Sequence, residues 1–430
     1  MHVFFRGKPA SKKSTALFLS LLCSVTFLMI PALTAAAEGE KYYGDVDLDG
    51  QVTATDARLI LRRSVDLETF SEESESLADY DGNGSVSADD ARLTLRASVG
   101  LEELKIQPPP DPPAPTKEEL RAAWLQSFPD SVSYEDIDDN IRWIAEDIGV
   151  RSWWNSTQNN AGDSIYERLV YYGFTRGVCC KKLDFYRDGM LGRNILAVIP
   201  TKVQNPDILL VMAHYDTSRG TGGALDNTSG TVTLLQIAKR FLFMQDDYGV
   251  ELRFLFTAGE EQGFYGANAY VNSLSGSEKA RHKIVFNMDM EGKPNDRYSP
   301  KYNYYLTVST EPAPNSYYTS AAYANVGSRA VDEAKAALGN LGEAGYYSPV
   351  RAGVTDMIPF RRAGMPAITL SWRCIDYSRS HGSDYGLASP PYIDTSTDIV
   401  YYLDIDSVYN TARLVAASLA RLVLPYTDLA

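Results

Sequence analysis

The sequence predicts an α/β fold, a mostly parallel central sheet flanked by helices, preceded by a small all-α module built on two repeated acidic loops. Three observations carry that prediction. Short apolar runs such as Ile208–Ala213, Val250–Phe256 and Ile284–Met288 alternate with helix-length amphipathic stretches, the pattern of strands covered on both faces. An acidic pattern beginning at Asp45 recurs at Asp79, 34 residues on. Between the two regions stands Pro108-Pro109-Pro110-Asp111-Pro112-Pro113-Ala114-Pro115, the composition of an extended, semi-rigid spacer.

Residues 1–37 read as a signal peptide. Arg6, Lys8, Lys12 and Lys13 form a basic start, Ala16–Ile30 an apolar run, and Ala35-Ala36-Ala37 a small-residue cleavage site. The apolar run is shorter than the roughly 20 residues a membrane span needs, so an exported protein with no span in its mature form is expected. Cleavage removes Cys23 and leaves Cys179, Cys180 and Cys374, an odd count that forbids full pairing. The net charge of -14 argues against nucleic-acid partners, which want a basic face.

Residues 41–104 hold the repeat. In the first copy Asp45, Asp47, Asp49 and Asp56 fall at loop positions 1, 3, 5 and 12, with Gly50 at 6 and Gln51 at 7. In the second, Asp79, Asp81, Asn83 and Asp90 take those places, with Gly84 at 6 and Ser85 at 7. Converging hard oxygens with a glycine at the sharp turn suit Ca²⁺, so two calcium ions are expected. From Lys41 to Glu103 there are six basic and fifteen acidic side chains. About 60 residues is near the lower size at which a core suffices alone, and bound calcium would offset the repulsion. Each loop runs into an amphipathic helix carrying Leu59, Ile60 and Leu61 or Leu93 and Leu95.

This pattern closely resembles a dockerin, the duplicated calcium-loop module that plugs enzymes into cohesin-bearing scaffoldins of cellulosome-type complexes. The resemblance implies a cohesin partner. It points to Ala54-Thr55 and Ala88-Asp89, with Arg62, Arg63 and Arg96, as contact positions. The proline-rich linker is read as 105–116.

Residues 117–430 form the larger domain. Helices are expected at Lys117–Gln126, Tyr134–Ile148, Gly162–Tyr172, Ser229–Phe243, Tyr265–Val271, Ser320–Leu338 and Ser407–Leu424. Strands are expected at Asn194–Ile199, Ile208–Ala213, Val250–Phe256, Ile284–Met288, Tyr304–Val308 and Ala367–Trp372. Ligand sites in such sheets lie beyond the carboxyl ends of the strands. His214, Glu260, Glu261 and Asp289 follow strands directly, Asp226 lies in a glycine-rich turn, and His381 comes last.

Imidazole and carboxylates in this order read as a two-metal hydrolytic site holding a pair of zinc ions. His214 and Asp216 are i and i+2 at a strand end and point the same way; Asp216 is read as the carboxylate that orients His214. Asp226 is placed to bridge two metals. Of the adjacent Glu260 and Glu261, one binds metal while the other faces the attacking water as base. His282, within Ala-Arg-His-Lys, reads as a surface residue.

The runs Ala-His214-Tyr-Asp216-Thr, Gly-Ala-Leu-Asp226-Asn-Thr-Ser-Gly, Gly-Glu260-Glu261-Gln-Gly-Phe-Tyr-Gly and Asn-Met-Asp289-Met resemble the co-catalytic zinc exopeptidases of the secreted aminopeptidase type, a family with a phosphorylase/hydrolase-like fold that also includes glutaminyl cyclases. The resemblance implies one zinc on His214 and Asp289, a second on Glu261 and His381, and Asp226 between them. It also implies Glu260 as general base and peptides as substrates. In the family an Asp-Thr pair follows the last His within a few residues; here Asp394-Thr395 comes thirteen residues after His381, which reads as an inserted loop. The oxyanion donor is open, with Tyr346 and Tyr347 as candidates. An aminopeptidase is the leading expectation. A glutaminyl cyclase and an inactive binding module are the alternatives, and carboxypeptidase action stays open within the family.

Overall fold

The computed structural model describes residues 41–108, 114–154, 156–244, 248–295, 297, 304–311, 346–351, 355–375, 387–388, 390 and 392–428. The expected signal peptide, most of the proline run, the helix Ser320–Leu338 and His381 lie outside them. The chain divides into two compact units, Met1–Ala114 and Pro115–Ala430.

In the first unit each loop feeds the helix expected of it, α1 (Ala54–Arg63) and α3 (Ala88–Ser98), with a short α2 (Glu72–Ala78) between. The repeat governs the folding. Thr53 and Ser87 cap the two helices, and the position-12 residues Asp56 and Asp90 close reciprocal capping boxes. Val46, Ile60, Ala78 and Ala91 form the small core. The symmetry continues past the loops: Arg62 pairs with Glu68 and donates to the Leu67 carbonyl, while Arg96 pairs with Glu102 and donates to the Leu101 carbonyl. Lys105–Gln107, read as the start of the linker, instead pairs back along Lys41–Tyr43.

The second unit opens with α4 (Lys117–Asp130) and α5 (Tyr134–Arg142), which continues as a π-helical turn, Trp143–Ile148. Then come α6 (Thr157–Tyr172), β1 (Cys180–Arg187), β2 (Met190–Ile199), β3 (Ile208–His214), α7 (Gly230–Met244), β4 (Glu251–Thr257), α8 (Tyr265–Ser273), α9 (Gly276–Arg281), β5 (His282–Met288), β6 (Tyr304–Glu311), β7 (Tyr346–Arg351), α10 (Met357–Arg362), β8 (Ala367–Ile375), β9 (Leu387–Ala388) and α11 (Ile405–Val423). The sheet order is β1-β2-β4-β3-β5-β8-β6-β7, with β9 on β8. The inner strands β4, β3, β5 and β8 are parallel, as the apolar runs predict. Antiparallel pairings occur toward the edges, at β1/β2, β2/β4, β6/β8 and β8/β9.

Period-two alternation assigns the two faces. Leu209 and Val211 of β3 join one core with residues of α4, α5, α6, α7 and α11. Leu210 and Met212 join a second core with Tyr270 and Val271 of α8 and Met357 and Phe360 of α10. Among the described residues no helix is long and apolar enough to cross a membrane. Cys180 is buried in the first core, and burial pushes its thiol up to about 12.

His282 corrects one expectation. It is not a surface residue but 2 % exposed at the start of β5. Its Nδ1 lies 2.7 Å from the Glu278 carbonyl, so Nδ1–H donates there, and Nε2 faces the Tyr270 hydroxyl at 3.5 Å. Burial is the main cause that lowers its pKa to about 4. The unfolded chain therefore binds a proton near pH 6.5 that the folded chain refuses until about pH 4. The contribution of neutral His282 is present above pH 6.5 and lost as pH falls through that window. We expect His282→Gln to flatten the decline in stability between pH 6.5 and 4, by up to about 3 kcal/mol, relative to wild type in urea melts. An unchanged decline would contradict the assignment.

Candidate metal centre

Strand register assembles the site. His214 ends β3 opposite Thr257 of β4, while Ala213 lies opposite Met288 of β5. Three neighbouring parallel strands therefore deliver His214, the Glu260–Glu261 turn and Asp289 to the same carboxyl edge. The His214 ring is 1 % exposed. Its Nε2 lies 3.3 Å from Asp226 Oδ1 and 3.6 Å from Asp289 Oδ1, and its Nδ1 faces Asp216 Oδ1 at 3.6 Å. Asp216, itself buried, also accepts the backbone N–H of Glu260 at 3.1 Å and of Glu261 at 3.3 Å. It thus fixes the turn that carries the two glutamates while its Oδ1 faces the imidazole.

Asp226 sits on a turn held from several sides. Asp398 accepts the N–H groups of Leu225 and Asp226 at 2.8 and 3.0 Å. The neighbouring Asn227 donates to the Met288 carbonyl and accepts from the N–H groups of Gly230 and Met290. A Cβ on Gly230 would stand 2.4 Å from Asn227 Oδ1, so this helix start needs glycine. Asp289 is fixed by the Thr355 hydroxyl at 2.7 Å, and its N–H by Glu291.

Beneath these turns lies Arg151, fully buried. Its guanidinium donates to the carbonyls of Tyr215, Ile144, Gly149, Gly222 and Gly223 and to the Thr228 hydroxyl. Arg151, Asp398 and Ser218 escaped the sequence reading, and Asn227 entered it only as a member of the Asp226-Asn-Thr-Ser-Gly run; the Asp-rich run Asp394-Thr395-Ser396-Thr397-Asp398 is the local signal that could have found Asp398.

Glu261 and Asp394 meet through Ser218. The Ser218 N–H donates to Glu261 Oε1 at 3.0 Å, and its hydroxyl oxygen lies 2.7 Å from Glu261 Oε2 and 2.6 Å from Asp394 Oδ1. Asp226, Glu261 and Asp394 offer oxygens within 4.8 Å of one another, as His214, Asp226 and Asp289 offer one ligand atom each on the other side. The structure thus gathers His214, Asp216, Asp226, Glu260, Glu261 and Asp289, and adds Asp394. Tyr346 and Tyr347 lie on β7.

The donor set fits divalent cations. Both ring nitrogens of His214 and the Oδ1 atoms of Asp226 and Asp289 are buried without a hydrogen-bond partner, a costly state that a ligand relieves. Burial pushes Glu261 up to about 9, with Asp226 adding, and Asp226 up to about 6, with Asp289 adding. Burial also drives Glu260 well above the usual carboxylate range. Against its own burial, His214 is raised by Glu260, Asp216, Asp226 and Asp289. Carboxylates so disposed lack positive charge, and a bound dication reverses that balance.

In the first unit Asp45, Asp47 and Asp56 converge, as do Asp79, Asp81 and Asp90. Asp45 Oδ1 is buried without a partner, and the Gly50 N–H donates to its other oxygen. Asp49 accepts from the Gln51 N–H and Asn83 from the Ser85 N–H, tightening each loop.

With fold and site described, comparison with known proteins assigns the class. The family model for Peptidase family M28 matches residues 194–419, and the chain belongs to that family. The dockerin type I domain model matches residues 43–96. Among curated relatives, aminopeptidase YwaD of Bacillus subtilis is 28% identical over 227 residues, 53% of this chain and 44% of that protein. Aminopeptidase Y of Saccharomyces cerevisiae is 32% identical over 117 residues, 27% and 21% of the two chains. The chain spans less than half the length of these relatives. Among solved structures, the zinc aminopeptidase BSAP of Bacillus subtilis aligns with a TM-score of 0.55 at 16% identity, covering 68% of this chain and 95% of that one. LapA of Legionella pneumophila aligns at 0.53 and 21% identity, covering 82% and 88%. These likenesses show a shared fold.

Proposed function

We propose that the second unit is a metal-dependent exopeptidase releasing residues from peptide N-termini, and that the first unit docks it, with calcium bound, to a cohesin-bearing scaffold outside the cell. The observation that carries the catalytic reading is the meeting of His214, Asp226, Glu261 and Asp289 at one strand edge, with Glu260 beside them. Two metal ions are the expected content of that edge, with zinc on His214 and Asp289 and Asp226 shared. Metal held there would lower the pKa of a water and polarise the scissile carbonyl.

The protein's own groups do the rest. Glu260 takes the proton of the attacking water and returns it to the departing amine. Asp216 keeps Glu260 and the His214 ring in place. Arg151, Asn227 and Asp398 hold the turns, so little reorganisation accompanies the reaction. In the first unit, two calcium ions would sit on Asp45, Asp47, Asp49, Gln51 and Asp56, and on Asp79, Asp81, Asn83, Ser85 and Asp90. The apolar residues Leu61, Val65 and Leu67 and their repeat counterparts Leu95, Val99 and Leu101 are exposed, which supports a partner surface presented twice.

The test is peptide turnover by the full chain in excess calcium, before and after a zinc-selective chelator. We expect hydrolysis to vanish and to return with added metal, and no ammonia to appear from a peptide with N-terminal glutamine. Turnover that survives complete metal removal, or ammonia release without hydrolysis, would overturn the reading.

A further inference from the structure

The family resemblance implies a second metal position on Glu261 and His381, and His381 lies outside the described residues. The described residues put Asp394 there. The turn carrying Asp394 is tied to Asp226 through Asp398, which accepts the N–H groups of Leu225 and Asp226. Glu261 is tied to Asp216 by its own N–H. The approach of the three carboxylates is thus built by hydrogen bonds from both sides.

Two further observations point to a cation among them. The Ser218 hydroxyl lies within 2.7 Å of both Glu261 Oε2 and Asp394 Oδ1, yet it has one proton to give. The second contact therefore needs either a proton on one carboxylate or a cation beside the pair, and a cation leaves both carboxylates charged. On the other side of Asp226 the buried His214 Nε2 and Asp289 Oδ1 have no hydrogen-bond partner, so Asp226 is shared between two incomplete donor sets. The two sets differ in chemistry. One contains an imidazole, which suits zinc. The other, Asp226, Glu261 and Asp394, is all oxygen, which suits harder ions such as Mn²⁺ or Mg²⁺.

We propose that Asp226, Glu261 and Asp394 form an all-carboxylate second metal position that accepts a hard divalent cation, beside a zinc position built on His214. The inference rests on the metallopeptidase reading and specifies its metal content. An all-oxygen site holds zinc less firmly than one with an imidazole, so the two positions fill in sequence.

The test uses the metal-free full chain in excess Ca²⁺, which keeps the N-terminal loops occupied. One equivalent of Zn²⁺ is added, then Mn²⁺ is titrated, with free Mn²⁺ read by electron paramagnetic resonance and bound metals counted by mass spectrometry. We expect one zinc and one manganese per chain. Asp394→Ala should weaken the manganese step at least tenfold and keep the zinc. Asp394→His should weaken manganese and let a second zinc bind at least tenfold more tightly. His381→Ala should change neither step. The proposal is overturned if no manganese binds the zinc-loaded chain, or if His381→Ala removes the second metal while Asp394→Ala keeps it. A chain that binds no zinc at all would instead defeat the metallopeptidase reading.

Discussion

Glu260→Gln is expected to lower kcat by about 10²- to 10⁴-fold, the usual worth of a positioned general base, with KM and metal content little changed. The glutamine keeps the size of the side chain, and the Glu260 N–H still donates to Asp216, so the turn stays in place. What is lost is a carboxylate that can take a proton next to the His214–Asp226–Asp289 cluster. Steady-state rates together with metal counting check this. A variant that has also lost its metal would make Glu260 a ligand and move the base elsewhere, and a variant with wild-type turnover would remove Glu260 from the chemistry.

The second large effect is expected at Arg151, which donates to none of the side chains proposed to hold metal. Its guanidinium donates to five backbone carbonyls and the Thr228 hydroxyl in a fully buried setting. Burial lowers its pKa to about 10, opposed by Asp216, Asp398 and Asp226, so it stays charged at neutral pH. Arg151→Met leaves those carbonyls dry and unpaired, at about 1–3 kcal/mol for each group that water cannot reach. We expect a loss of about 3–5 kcal/mol overall, as when one partner of a buried charged network is removed, and a melting temperature of the second unit lower by about 10 °C. Arg151→Lys should recover only part of this, because a single ammonium cannot span acceptors spread over the segments at Ile144–Gly149 and Tyr215–Gly223. Equal stability of wild type and Arg151→Met in thermal melts would contradict the role.

Elements whose side chains alternate or cluster strongly were legible without coordinates. The fully buried β3, the largely buried β4 and β5, and the amphipathic α11 fall within a few residues of their expected spans, and the repeat announced α1 and α3. Elements that carry little apolar signal were not. Strand β1 is an edge strand with mostly exposed Lys, Asp and Arg side chains, so its pattern reads as loop. His282 looked superficial because Arg281 and Lys283 flank it, although strand alternation turns its ring inward. The site shows the same division. His214, Asp226, Glu260, Glu261 and Asp289 stand in local motifs at strand ends or glycine-rich turns, which sequence spacing reveals. Ser218, Asp394 and Arg151 act through contacts reaching 43 to 176 residues along the chain, and no local pattern encodes those. Asp394 registered only as a departure in spacing after His381, whereas the fold places it against Glu261 through Ser218.

The account stands on hydrolysis at a free peptide N-terminus by this metal edge. The most direct test incubates the metal-loaded full chain with one peptide in two forms, free and acetylated at the N-terminus, and follows product masses over time. The account predicts stepwise loss of residues from the N-terminus of the free peptide and no change in the acetylated one. Shortening from the C-terminus, or equal cleavage of both forms, would contradict it.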